Sequence, residues 1–125
     1  MVFGSIFPGN ARNRREQVVR DLAEALNALD YDRVRTLLTT NVVVFNARRG
    51  TSQGQDQFIE QDQMFRRNAG SPQIRIDDLI HHDEEILVTG YLESDNPEVG
   101  GPTMWRVDFE EFLISRIEIT RAEKR

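Results

Sequence analysis

Asp78 interrupts a run of aliphatic residues, and at that interruption the sequence comes nearest to chemistry. With a strand starting at Gln73, the residues Ile74, Ile76, Asp78, Ile80 and His82 point to one side, and Arg75, Asp77, Leu79, His81 and Asp83 to the other. A lone carboxyl group among isoleucines loses hydration, which disfavours its charged form and raises its pKa toward the range useful for moving a proton. The structural alternative is that a strand twist, a bulge or a bonded neighbour accounts for Asp78. His82 shares the face four positions on, roughly 13 Å away at ~3.3 Å per residue, too far for a direct hydrogen bond, which puts it at a pocket's mouth. The run His81-His82-Asp83-Glu84-Glu85 has metal-ligand residue types. Strand neighbours point oppositely and no third ligand follows at a suitable spacing, so the reading is an acidic hairpin with no metal.

Four other residues bear on a binding site. Asn46 ends an apolar strand, where its amide either orients a ligand carbonyl or hydroxyl or forms a turn. Trp105 is either a wall on which a ligand stacks or a core residue, and Tyr31 and Tyr91 share that ambiguity. The chain has no Ser/His/Asp order with nucleophile-elbow glycines, no glycine-rich phosphate loop and no dinucleotide fingerprint, so no cofactor is expected.

The elements that must position these residues follow from periodicity. Val18, Val19, Leu22, Leu26 and Leu29 form one stripe of an amphipathic helix over about residues 11–29. Asp30 is the N-cap of a second helix with Tyr31, Val34, Leu37 and Leu38 on its buried side, ending at Asn41. Val42 to Phe45 reads as a strand, and Arg48 to Ser52 as a turn into a short return strand. Gly54 precedes a third helix, about residues 55–68, whose apolar residues are Phe58, Ile59, Met64 and Phe65. Gly70-Ser71-Pro72 stops it, and from Gln73 the period becomes two, with strands at 73–83, 85–93, 103–110 and 113–121. Arg106, Asp108, Arg116 and Glu118 fall on the outward face of the last two.

Composition sets the limits. A chain of 125 residues is one domain, read as an arm over residues 1–10 and a single domain over 11–125. The net charge of −5, without a clustered Lys/Arg face, argues against nucleic acid as a partner. The basic residues Arg121, Lys124 and Arg125 read as a solvated tail. Absence of cysteine removes disulfides, thiolate nucleophiles and sulfur-ligated zinc. The first nine residues lack a basic n-region and are broken by Gly4, Pro8 and Gly9, and no apolar run reaches the ~18 residues of a membrane span, so a cytoplasmic protein is expected, with no membrane partner.

With these elements placed, the chain resembles the cone-shaped family that includes nuclear transport factor 2, the ketosteroid isomerases, scytalone dehydratase and the SnoaL-like polyketide cyclases. The likeness is carried by Leu26 to Leu38, the strand Val42 to Phe45, the Gly50 to Gly54 turn into a helix, and Trp105-Arg106-Val107-Asp108-Phe109. It implies an α+β cone with three N-terminal helices on a strongly curved, mostly antiparallel sheet. It also implies a small apolar ligand between sheet and helices, and a homodimer through the sheet's outer face.

The position of the isomerases' catalytic base is taken by Asn46, and their two acidic hydrogen-bond donors fall near Leu22 and Trp105. An amide cannot abstract a proton, so steroid isomerase chemistry is not expected. The match to scytalone dehydratase puts its pocket tyrosine at Asn46, one pocket histidine near Asp78, and its serine and asparagine near Thr103 and Trp105. The resulting expectation is a small hydrophobic-molecule-binding protein, acting as a cofactor-free isomerase, dehydratase or cyclase, with Asp78 catalytic and Asn46, Thr103, Trp105, Leu22 and His82 at the substrate. The alternative is a non-catalytic ligand-binding or dimerisation module of the same fold.

Overall fold

The apolar stripe of the first helix becomes the centre of the core in the computed structural model, which describes residues 8–121. Helix α1 (Pro8–Asn27) buries Val19, Leu22, Ala23, Ala25 and Leu26, and a fully buried Leu such as Leu22 contributes about 1.5–3 kcal/mol. The helix ends where Leu29 takes a left-handed conformation (φ 59) and Asp30 N donates to Ala25 O at 2.9 Å, the backbone closure usually built on glycine. Asp30 then caps α2 (Tyr31–Leu37), its side chain accepting from Arg33 N at 3.2 Å, as the sequence implies. The expected arm over residues 1–10 lies outside the described residues except for its last three, which are already helical.

Strand β1 (Leu38–Asn46) begins three residues before the point where the sequence pattern ends α2, because Leu38 pairs with Ile114. The stretch Leu38 to Val44 is rich in β-branched residues, and pairing recruits it from the helix. Next come β2 (Gly50–Gln53), α3 (Gln55–Ala69), β3 (Gln73–His82), β4 (Glu85–Glu93), β5 (Gly101–Glu110) and β6 (Leu113–Arg121). The six strands form one sheet in the order β2-β1-β6-β5-β4-β3, with β1 and β6 parallel and every other pair antiparallel. Only α1 and α2 precede the sheet; α3 lies between β2 and β3, which corrects the expectation of three N-terminal helices.

Register decides which side chains share the concave face. One row runs Val44, Ile117, Val107, Ile86, and all four are buried. The next runs Asn46, Ile119, Trp105, Val88, and the one beyond it pairs Arg121 with Thr103 and Thr103 with Gly90. The rows therefore change from fully apolar to mixed toward one end of the sheet, and that end stays open.

The strand bearing Asp78 departs from the simple alternation. Ile76 pairs with Gly90 but Asp78 pairs with Thr89, so Asp77 is an extra residue bulged out of the ladder. One inserted residue moves every later side chain to the opposite face. Leu79 and His81 consequently turn inward, whereas Asp78, Ile80 (48% exposed) and His82 turn outward. Gly90 is what permits this, since a Cβ there would run into the Arg75 carbonyl oxygen. The carboxyl group of Asp78 is exposed and accepts a hydrogen bond from Leu79 N at 3.0 Å. The desolvated acid read from the sequence is therefore absent, and the catalytic expectation for Asp78 loses its physical basis.

The outer face carries Ile80, Leu87, Arg106, Glu118 and Phe45 as one row across five strands. Glu118 also pairs with Arg116 at 3.2 Å, in keeping with an outward charged surface. Beside that row, burial first and then the charge and hydrogen bond of Glu85 push the Asp108 carboxyl above its ordinary value.

Candidate functional site

Helix α3 brings a buried ion pair to the open end of the cone. Gly54 precedes it and Gly70 closes it in the left-handed conformation (φ 75). Between them Phe58, Asp62 and Arg66 recur at four-residue intervals and share one face. That face points inward. Asp62 is 8% and Arg66 3% exposed, whereas Met64, expected in the apolar stripe, is 50% exposed. On a helical wheel Met64 lies about 120° from Phe58 and Asp62 only about 40°, at 100° per residue. That count was available from the sequence, and polarity obscured it.

Asp62 Oδ2 accepts two hydrogen bonds, from Tyr31 Oη at 2.7 Å and from Arg66 Nε at 2.9 Å. Arg66 also donates from Nη1 to the carbonyl of the buried Pro72 at 2.7 Å. A buried charge needs such partners, since an unpaired one costs several kcal/mol. Desolvation, with the hydrogen bond and charge of Asp62, pushes the Tyr31 phenol well above its ordinary value while Arg66 opposes. Tyr31 thus stays a neutral donor. Among the described residues no hydrogen bond reaches Asp62 Oδ1, and Asp62 lines the adjoining cavity.

The cavity has a volume of about 300 Å³, at the lower end of the range for small-molecule sites. Leu22 and Leu26 of α1, Phe58 and Phe65 of α3, Trp105 of β5 and Ile117 and Ile119 of β6 form its apolar walls. Asp62 and Arg66 sit in one wall, Thr103 in another, and the β4–β5 loop lines the mouth with Glu98 and Val99. Arg48 Nη1 donates to Glu98 O at 2.9 Å, and Arg121 donates to the carbonyls of Val99 and Gly100, so two guanidinium groups hold that loop in place. Arg121 therefore belongs to the site, not to a solvated tail; Lys124 and Arg125 lie outside the described residues.

Of the residues singled out in the sequence, Leu22, Asn46, Thr103 and Trp105 line this cavity, and Asp78 and His82 do not. His82 is exposed, its Nδ1 3.5 Å from Glu85 Oε1, and His81 turns inward to place Nε2 2.7 Å from Glu16 Oε2 of α1. The bulge reverses both, and the two rings diverge. Asn46 performs the turn role: its Oδ1 accepts from Arg48 N at 2.9 Å and Arg49 N at 3.2 Å, fixing the β1–β2 turn at the rim. Trp105 is 6% exposed, both a core residue and a wall. Asp62 and Arg66 were not among the expected site residues; Tyr31, weighed as either a wall or a core residue, joins them through its hydrogen bond to Asp62.

A curved, unclosed sheet folded around helices, with an apolar cavity at its open end, defines the cystatin-like or nuclear transport factor 2-like class of α+β proteins. Residues 19–118 match the SnoaL-like domain, and the chain belongs to that family. No curated protein matches it. Among solved structures it is similar to a cystatin-like-fold protein of unknown function from Methylobium petroleophilum, at 19% identity and TM-score 0.79 over 91% of this chain and 79% of that one. A candidate ketosteroid isomerase from Kribbella flavida superposes with TM-score 0.77 at 15% identity over 90% and 81% of the two chains. For a candidate polyketide cyclase from Sinorhizobium meliloti the values are 0.75 and 14%, over 94% and 99%. At these identities the likeness is one of fold. Among the described residues no helix is long and apolar enough to cross a membrane.

Proposed function

We propose that this protein binds a small, mainly apolar molecule in the cavity and that Asp62 moves a proton on it without a cofactor, in the manner of an isomerase, dehydratase or cyclase. The observation that carries the reading is a buried carboxyl group lining a largely apolar cavity, with Oδ2 engaged by Tyr31 and Arg66 and, among the described residues, no hydrogen bond to Oδ1. A base within reach of a bound carbonyl compound, set among apolar side chains, is the arrangement general acid–base chemistry requires. Asp62 takes over the role that the sequence pattern gives to Asp78.

Trp105 is the chain's one tryptophan and lines the cavity, so its fluorescence reports occupancy. Titration with aryl ketones should give a saturable change, lost in Ile119→Phe, which fills the space. In D2O the bound ketone should exchange its α-hydrogens, and Asp62→Asn should slow that exchange by about 10²–10⁴-fold while keeping the fluorescence response. Binding without exchange in the parent protein would eliminate proton transfer. No saturable response to any ketone would eliminate the cavity as a ligand site.

We also propose that the outer face of the sheet pairs with a second copy of the chain. In support, Phe45 (37% exposed), Ile80 and Met104 (42%) form apolar patches among the charged residues of that face. Sedimentation should give a dimer, and Phe45→Glu with Met104→Glu should give a folded monomer. A monomeric parent protein at tens of micromolar would refute the pairing.

A further inference from the structure

The charge around the cavity is opposite in sign to that of the whole chain. The protein carries −5, yet the lining includes Arg48, Arg49, Arg66 and Arg121 against only Asp62 and Glu98, four positive groups to two negative, or +2. Arg66 is spoken for by Asp62 and Pro72. Arg48 and Arg121 are tied in part to the loop carbonyls.

Arg49 differs. Its guanidinium carbon lies 3.7 Å from the centre of the Phe65 ring, and among the described residues no hydrogen bond from that guanidinium is recorded. Desolvation, with the charges of Arg66 and Arg48, lowers its pKa from the ordinary value while Asp62 opposes this. Arg49 stays exposed, as hairpin-turn residues do, and the Phe65 ring holds its guanidinium at the rim.

We infer that the ligand of this cavity carries a single carboxylate on an apolar body, the carboxylate pairing with the open fork of Arg49 beside Arg48 and the body lying against Leu26, Phe58 and Trp105. This deepens the small-molecule reading above and rests on it. One planar fork of donors matches one planar carboxylate in a two-point hydrogen bond. A dianionic head such as a phosphate monoester has more acceptor positions than this one uncommitted fork can fill. Charge around the mouth also steers anions toward the cavity, and added salt screens that attraction.

The test uses matched pairs: naphthoate, phenylbutanoate and octanoate, each against the corresponding primary alcohol, with Trp105 fluorescence and calorimetry as readouts. The acids should bind about tenfold or more tightly than the alcohols, the size of a charge-assisted hydrogen bond. Arg49→Gln should remove that preference and leave the alcohols unchanged, and Arg49→Lys should restore only part of it. Raising the salt should weaken the acids alone. If alcohols bind as tightly as acids, or if Arg49→Gln affects both equally, the carboxylate inference falls while the cavity remains a ligand site. If neither series gives a saturable response, while naphthyl and phenyl ketones also fail, both readings fall together. Phenyl phosphate binding more tightly than every carboxylate would overturn the choice of head group.

Discussion

Replacing Arg66 with Met should lower the unfolding free energy by about 3–5 kcal/mol, the cost of leaving a buried partner charge uncompensated. The cause is local: Asp62 is 8% exposed, and Arg66 supplies one of its two recorded hydrogen bonds and the nearby positive charge. The Pro72 carbonyl would lose its donor as well. Denaturant unfolding of the single variant should show the loss in the midpoint without a change of slope. Removing the whole network, Arg66→Met with Asp62→Leu and Tyr31→Phe, should bring stability back to within about 1 kcal/mol of the parent or above it, because nothing buried is then left unpaired. A loss below about 1 kcal/mol in Arg66→Met alone would mean that water already reaches the pair, and Asp62 would then no longer act in an apolar wall.

An apolar substitute would stabilise the fold at least as well as this network. The triple variant should accordingly be folded and inactive in α-hydrogen exchange, separating the stability of the site from its chemistry.

Trp105→Ala should cost about 3–5 kcal/mol, the range for deleting a large buried aromatic side chain. Trp105 lies between Val88 and Ile119 in its row and is 6% exposed, so the neighbours would have to collapse over a gap that adjoins an existing cavity. Collapse is difficult there, because Leu22 and Ile117 are pinned on the other side by the fully packed rows. Calorimetric titration should also show weaker ligand binding in the variant, and Trp105→Phe should keep most of both properties. A stability loss under about 1 kcal/mol would make Trp105 a ligand wall alone. Unchanged affinity would make it core alone.

The two outcomes for Asp78 and Asp62 show how legible the site was. Both are acids at places where an apolar pattern is interrupted; the sequence pattern singled out Asp78, and the structure buries Asp62 and exposes Asp78. Alternation along β3 holds only while residues are counted one for one, and the bulge at Asp77 breaks that count. The available signal was Gly90, an isolated glycine in the facing strand, which often marks a bulge or a close backbone approach. For α3 the count was intact, and Asp62 and Arg66 stand on the stripe of Phe58; assigning charged residues to solvent hid them.

The sequence by itself determined most of the helix and strand segments, that Asp30 starts one helix and Gly70 ends another, and that Arg106, Asp108, Arg116 and Glu118 face outward. These depend on periodicity and capping, which act over a few neighbouring residues. It also carried the family likeness, through the order of elements from Leu26 to Phe109. Tertiary structure alone decided the parallel pairing of β1 with β6, the extra residue that turns Asp78 to solvent, the union of Tyr31 with Asp62 and Arg66, and the gathering of four arginines about one cavity. Each of these joins groups distant along the chain or depends on which strand lies opposite. Burial and pairing of charge are settled only when the sheet closes over the helices.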